Sequence, residues 1–110
     1  MRLRDLRDLR LILSQYNLTL LQLEILLAIE LNEGATLQDI VGRGHLEDFH
    51  TMFSTLSKGV RRLAEGADGA AGKRYIYREV SPSNANAWCL FLTDEAKRIL
   101  EEIKKEINYK

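Results

Sequence analysis

The twelve residues from Leu20 to Leu31, LLQLEILLAIEL, are apolar almost all the way round any helix they form, with only Gln22, Glu24 and Glu30 interrupting. A helix with no polar stripe cannot lie on the surface of a small domain, so other elements must pack around it. The run is also too short to cross a bilayer. Thr19-x-x-Gln22 has the spacing of a capping box and starts the helix, and Asn32-Glu33-Gly34 ends it. The rest of the chain must therefore supply a shell for one central helix.

Residues 2–15 carry Leu3, Leu6, Leu9, Ile12 and Leu13 at helical spacing, with Arg4 and Asp8 as a possible surface pair. Thr36-x-x-Asp39 caps a short helix with Leu37, Ile40 and Val41 facing inward, and Gly42-Arg43-Gly44 stops it. Phe49, Met52, Phe53, Leu56, Val60 and Leu63 then share one face, which predicts a helix over 48–64 with that stripe in the core. The segment EGADGAAG, residues 65–72, reads as a flexible connection. Tyr75 to Val80 and Trp88 to Leu92 are β-branched and aromatic, and SPSNANA between them has turn composition, so a hairpin with a protruding loop is expected. Thr93-Asp94-Glu95 opens a last helix with Ala96, Ile99, Leu100, Ile103 and Ile107 as its stripe. The expected fold is mainly α with a small β-hairpin. Its layout is a winged helix-turn-helix over 17–92, flanked by an amino-terminal helix (1–16) and a carboxy-terminal helix (93–110).

At 110 residues, 45% of them apolar and with one proline, the chain suits a single folded domain. Sixteen basic residues balance sixteen acidic ones, so no global positive field draws it to phosphate. Any nucleic-acid function needs charge gathered on one surface. The lone Cys89 excludes an internal disulfide and suits a reducing cytoplasm. MRLRDLRDLRLILSQY has charges among its apolar positions and lacks the core of a signal peptide. A soluble, cytoplasmic protein with no membrane contact is expected.

The helix over 48–64 is where chemistry concentrates. Thr51, Ser54, Lys58, Arg61 and Arg62 fall opposite its apolar stripe, flanked by His50, Thr55 and Ser57, and no acidic residue occurs between Phe49 and Ala64. Solvated helix faces normally mix both signs. Short hydroxyl side chains at the amino-terminal end can approach base edges in the major groove, while the basic residues behind them reach phosphates. Arg43, Lys73, Arg74 and Arg78 can border the same surface. At the hairpin tip Ser81, Ser83, Asn84 and Asn86 are donors suited to sugar, phosphate or a minor-groove edge, or else an ordinary polar turn. Acidic residues gather elsewhere, at Glu24, Glu30 and Glu33 and at Glu95, Glu101, Glu102 and Glu106.

LTLLQLEILLAI (18–29), ATLQDIV (35–41), the helix from about Asp48 to Ala64 and LFLTDEAKRIL (90–100) together resemble the MarR-like winged-helix regulators. The resemblance implies double-stranded DNA as partner, transcriptional regulation (repression in most such proteins) and a homodimer reading two half-sites. Leu3, Leu6, Leu9, Ile12 and Leu13 with Ile99, Leu100, Ile103 and Ile107 are the candidate dimer surface; whether a small-molecule effector acts is open. Three features depart from the family. The wing tip SPSNANA lacks the Asp-x-Arg usual near it, the connection EGADGAAGKR is long, and Glu95 or Ala96 stands where glycine is frequent.

Other chemistries find little support. HLEDFH (45–50) gathers two His and two acids, but His45 and His50 lie on different helical faces with no third ligand near. With two histidines in all, and no nucleophile–base set or phosphate loop, neither catalysis nor a cofactor is expected. The competing reading is a winged helix that binds protein instead of DNA, for example an accessory or antagonist protein of a phage or mobile element. Zero net charge and an uncharged wing suit it.

Overall fold

The computed structural model describes residues 2–46, 53–66 and 74–107. Along the chain run α1 (Leu3–Gln15), α2 (Leu20–Leu31), α3 (Leu37–Gly42), α4 (Phe53–Glu65), β1 (Ile76–Ser81), β2 (Asn84–Leu92) and α5 (Asp94–Ile107). The expected mainly-α fold with one hairpin is the fold observed. Among the described residues, no single helix is long and apolar enough to cross a membrane.

The caps do what their spacing predicts. Thr19 Oγ1 accepts from the Gln22 amide at 3.1 Å, and Gln22 Oε1 accepts from the Thr19 amide at 2.9 Å. Thr36 and Asp39 repeat the arrangement on α3. Each box satisfies amides that a helix start would otherwise leave unpaired. At the end of α1, Asn17 adopts φ 57°, and the Leu18 amide reaches back to the Leu13 carbonyl at 2.9 Å while the Asn17 amide reaches Ser14. This left-handed closure turns the chain straight into the Thr19 cap. Gly44, at φ 88°, closes α3 in the same way, with His45 bonded back to Ile40.

Leu23, Ile25, Leu26, Ala28 and Ile29 of α2 are buried, and around them lie Ile12 and Leu13 of α1, Ile40 of α3, Leu56, Val60 and Leu63 of α4, and Ala96, Ile99, Leu100 and Ile103 of α5. Helix α2 is thus the centre of the core. Gly59 lets α4 approach it closely, because a Cβ there would stand 2.8 Å from Ile25 Cδ1. Lys104 of α5 pairs with Glu30 of α2 at 2.7 Å, and Lys97 of α5 with Glu33, in the turn after α2, at 3.6 Å. Glu33 also accepts from the Leu92 amide, joining the base of the hairpin to both helices.

The hairpin is antiparallel, from Ile76↔Leu92 to Val80↔Trp88, with a last pair Ser81↔Asn84. The protruding loop expected over SPSNANA is narrower than that composition suggests. The turn proper is Pro82-Ser83, and a register shift after Val80 leaves Ala85 to Ala87 without partners in β2. On its other edge β2 meets the segment before α3, through Gly34 N–H to Leu90 O and Leu90 N–H to Ala35 O, with a bridge from Thr36 to Cys89. This third edge has no strand-like pattern in sequence.

Two expectations need correcting. Phe53 lies on the predicted apolar stripe of α4, yet it is 45% exposed, because the core ends one turn further along, at Leu56. Ile12, Leu13, Ile99, Leu100 and Ile103, expected at a dimer surface, are buried where α1 packs on α5 in the same chain. A 110-residue chain has too little apolar surface to fill its own core and leave those stripes outside. Of the group, Leu3 and Leu6 remain exposed and Leu9 is partly buried. The side chain of Ile107 lies outside the description.

Candidate nucleic-acid interface

Burial of Leu56, Val60 and Leu63 fixes which side of α4 faces solvent. Ser54, Thr55, Ser57, Lys58, Arg61 and Arg62 are all exposed on it. Among the described residues no carboxylate lies within ion-pairing distance of Lys58 or Arg61. The helix contains one acid, Glu65 at its end, and that acid faces the hairpin. The hydroxyl-then-basic face predicted from sequence is thus present over 53–65. His50, Thr51 and Lys73 lie outside the described residues, as do residues 47–50 of HLEDFH.

Between α4 and the hairpin runs a crevice of about 300 Å³. Phe53, Ser57 and Arg61 line it from α4, and Arg78, Asn84, Asn86 and Trp88 from the wing; Thr36, Leu37, Gln38 and the buried Val60 and Leu90 also line it. One side thus offers a cation and a hydroxyl, and the other offers amides and an indole. That combination suits a sugar–phosphate strand, which needs charge on its phosphates and apolar contact on its sugars.

The basic residues outside α4 have different surroundings. Arg43 is exposed at the end of α3, but its Nη1 donates to Asn32 Oδ1 at 2.8 Å, which holds it against the end of α2. Arg74 is exposed, and its carbonyl accepts from Thr93 Oγ1 at 2.8 Å, so the first residue of the wing is anchored to the start of α5. Arg78 is half-buried. It pairs with Glu65 at 3.6 Å and lies 4.9 Å from the centroid of the Trp88 ring, so it is engaged inside the protein rather than presented outward. At the tip, Asn84 Oδ1 accepts from the Asn86 amide, and Ser83 Oγ lies 3.2 Å from Ser81 Oγ. The Asn84 and Asn86 side-chain NH2 groups remain as exposed donors.

Sequence reasoning missed Trp88, Phe53 and Gln38. Trp88 sits on the hairpin face that also carries the buried Leu90 and Leu92, so alternation assigns it inward; only the position of the core's edge leaves it 45% exposed. Phe53 escapes detection for the same reason. Gln38 carries no signal beyond its place just after a cap.

No protein-family model and no curated protein matches this chain. Solved structures do. The crystal structure of MarR is 27% identical with a TM-score of 0.68, over 94% of this chain and 70% of that one. The transcriptional regulator Tm0710 from Thermotoga maritima is 22% identical with a TM-score of 0.67, over 92% of this chain and 63% of that one. The transcriptional repressor CouR, bound to a 23-mer DNA duplex, is 25% identical with a TM-score of 0.58, over 97% and 67% respectively. This chain therefore spans about two thirds of the length of the proteins it resembles. The order of its helices, the two-stranded hairpin after α4 and these likenesses give the chain a winged helix-turn-helix fold similar to that of MarR.

Proposed function

We propose that the protein is a sequence-specific double-stranded DNA-binding regulator of transcription, acting in the cytoplasm as a repressor. The single observation that carries this is the exposed face of α4, with hydroxyls first, then Lys58 and Arg61, and no acid before Glu65. A helix of this kind enters the major groove with Ser54 and Thr55 toward base edges, and its basic residues lie along the phosphates. The strand between the two grooves then runs through the crevice, and the wing lies along the backbone or minor groove. The likeness to CouR on its duplex supports the reading.

One recognition helix covers only a few base pairs, so specific binding calls for two copies. The homodimer surface is carried by α1 and the start of α2. Leu3, Leu6 and Leu20 are exposed there, and Leu6 and Leu20 line a shallow cavity of about 500 Å³ with Leu9, Leu13 and Leu18. Helix α5 contributes little apolar contact, because its buried stripe faces its own core.

The test is selection from random duplex DNA, followed by binding across a range of salt concentrations. An enriched inverted repeat and steep salt dependence are expected. Lys58→Ala/Arg61→Ala should lower the slope of log K against log salt by roughly 2, one unit for each phosphate that is no longer neutralised. Unchanged retention of duplex by that double variant would sink the assignment. A second reading, a module that binds protein, is favoured by the zero net charge and by Phe53 and Trp88 exposed in the crevice.

A further inference from the structure

Strand β2 is held along its outer edge by backbone bonds, and then by a side chain. The Gly34 amide donates to the Leu90 carbonyl at 2.9 Å, and the Leu90 amide donates to the Ala35 carbonyl at 3.0 Å. On an antiparallel edge the next outward amide lies two residues on, at Leu92. Before Gly34 the chain turns away into α2, and Glu33 Oε2 accepts from that amide at 3.2 Å. Glu33 Oε1 lies 3.6 Å from Lys97 Nζ on α5. On the other strand, Thr93 Oγ1 donates to the Arg74 carbonyl, and the Thr93 amide donates to the Tyr75 carbonyl. One carboxylate thus joins the end of α2, the base of the wing and α5.

We propose that Glu33 is a positioning residue for duplex binding, whose carboxylate fixes the angle of the wing to α4. The proposal rests on the DNA-binding reading above. Glu33 does not line the crevice, and its bond is at the far end of β2 from Asn84, roughly 25 Å away at the rise of a strand. It therefore acts through the wing and not on the duplex. With the bond in place, the free wing already holds the angle that the bound strand requires. Without it the ladder ends at Leu90, the wing swings about that point, and ordering it on DNA weakens binding. The sign of the effect separates this role from simple electrostatics. Loss of an acid from a protein that binds phosphate should strengthen binding if charge alone matters, whereas loss of the joint should weaken it.

The test uses the full-length protein and a short labelled duplex enriched by the wild type. Glu33→Ala should weaken binding about two- to tenfold, the range of one hydrogen bond, with the salt slope unchanged. Glu33→Gln keeps an oxygen for the Leu92 amide and should recover most of the loss. In the unbound protein, Glu33→Ala should speed hydrogen exchange at Leu92 ahead of the core amides of α2. It should also make Trp88, the one tryptophan of the chain, more accessible to acrylamide. A residue that merely stabilised the fold would lower the melting point without moving affinity at temperatures well below it. Lys104→Ala breaks the pair to Glu30 instead, and should leave affinity and Trp88 access as in the wild type. If circular dichroism shows Glu33→Ala unfolded, Glu33→Asp, one methylene short of the Leu92 amide, carries the same expectations. Wild-type or tighter affinity in folded Glu33→Ala, or a Glu33→Gln as weak as Glu33→Ala, would overturn the joint. DNA binding itself would still stand if Lys58→Ala/Arg61→Ala lowered retention. Failure of the wild type to retain any duplex would overturn both.

Discussion

Gly59 sits in the middle of α4, where alanine would favour the helix by up to about 1 kcal/mol. The structure supplies the opposing force, since an added Cβ stands 2.8 Å from Cδ1 of the buried Ile25. Overpacking of this kind costs about 1–3 kcal/mol, so Gly59→Ala should lower the urea midpoint. In an Ile25→Val background, which removes Cδ1, the same change should be neutral or stabilising. A cycle that is additive to within about 0.5 kcal/mol would mean that the two side chains do not meet. Thr19 is another residue with a single definable task. Losing its hydroxyl leaves a start-of-helix amide unpaired on α2, and Thr19→Ala should cost about 1 kcal/mol in chemical denaturation. The cap was legible in sequence from its spacing. Which neighbour makes the glycine necessary was not.

At the scale of the element, α1 separates two roles that one apolar stripe can hide. Ile12 and Leu13 are buried in the core, whereas Leu6 is 52% exposed beside the α1–α2 cavity. Ile12→Ala should therefore destabilise the fold by about 2–4 kcal/mol. Leu6→Glu should leave the circular dichroism and melting of the monomer nearly intact while halving the mass seen by light scattering. Equal loss of stability in both variants would mean that Leu6 is a core residue and would count against the proposed dimer surface. The hairpin gives a second case. Alternation located both strands, but the register shift after Val80, the Pro82-Ser83 turn and the extra edge formed by Gly34 and Ala35 depend on partners far away in the chain.

For the whole molecule, charge placement matters more than total charge. Glu30 and Glu33 are neutralised by Lys104 and Lys97 on the side held by α5, while Lys58 and Arg61 lie on α4 with no such carboxylate among the described residues. A protein of zero net charge should consequently bind duplex with a salt slope set by α4. Reversing Lys58 to Glu should abolish retention at moderate salt, whereas Lys104→Ala should change affinity little and cost at most about 1 kcal/mol in stability. Measuring both variants by fluorescence anisotropy across salt distinguishes a local positive face from a general electrostatic effect.

Periodicity, caps and turn composition determined the helices, the hairpin and their order, because those signals are local and each is satisfied within a few residues. They also determined which face of α4 is wet and basic. Only the tertiary structure decided where the core stops. That boundary exposes Phe53 and Trp88 on stripes that look buried, draws Arg78 inward to Glu65 and Trp88, and buries the α5 stripe within its own chain. Burial depends on the sum of all packed volumes, and no local pattern in the sequence carries that sum.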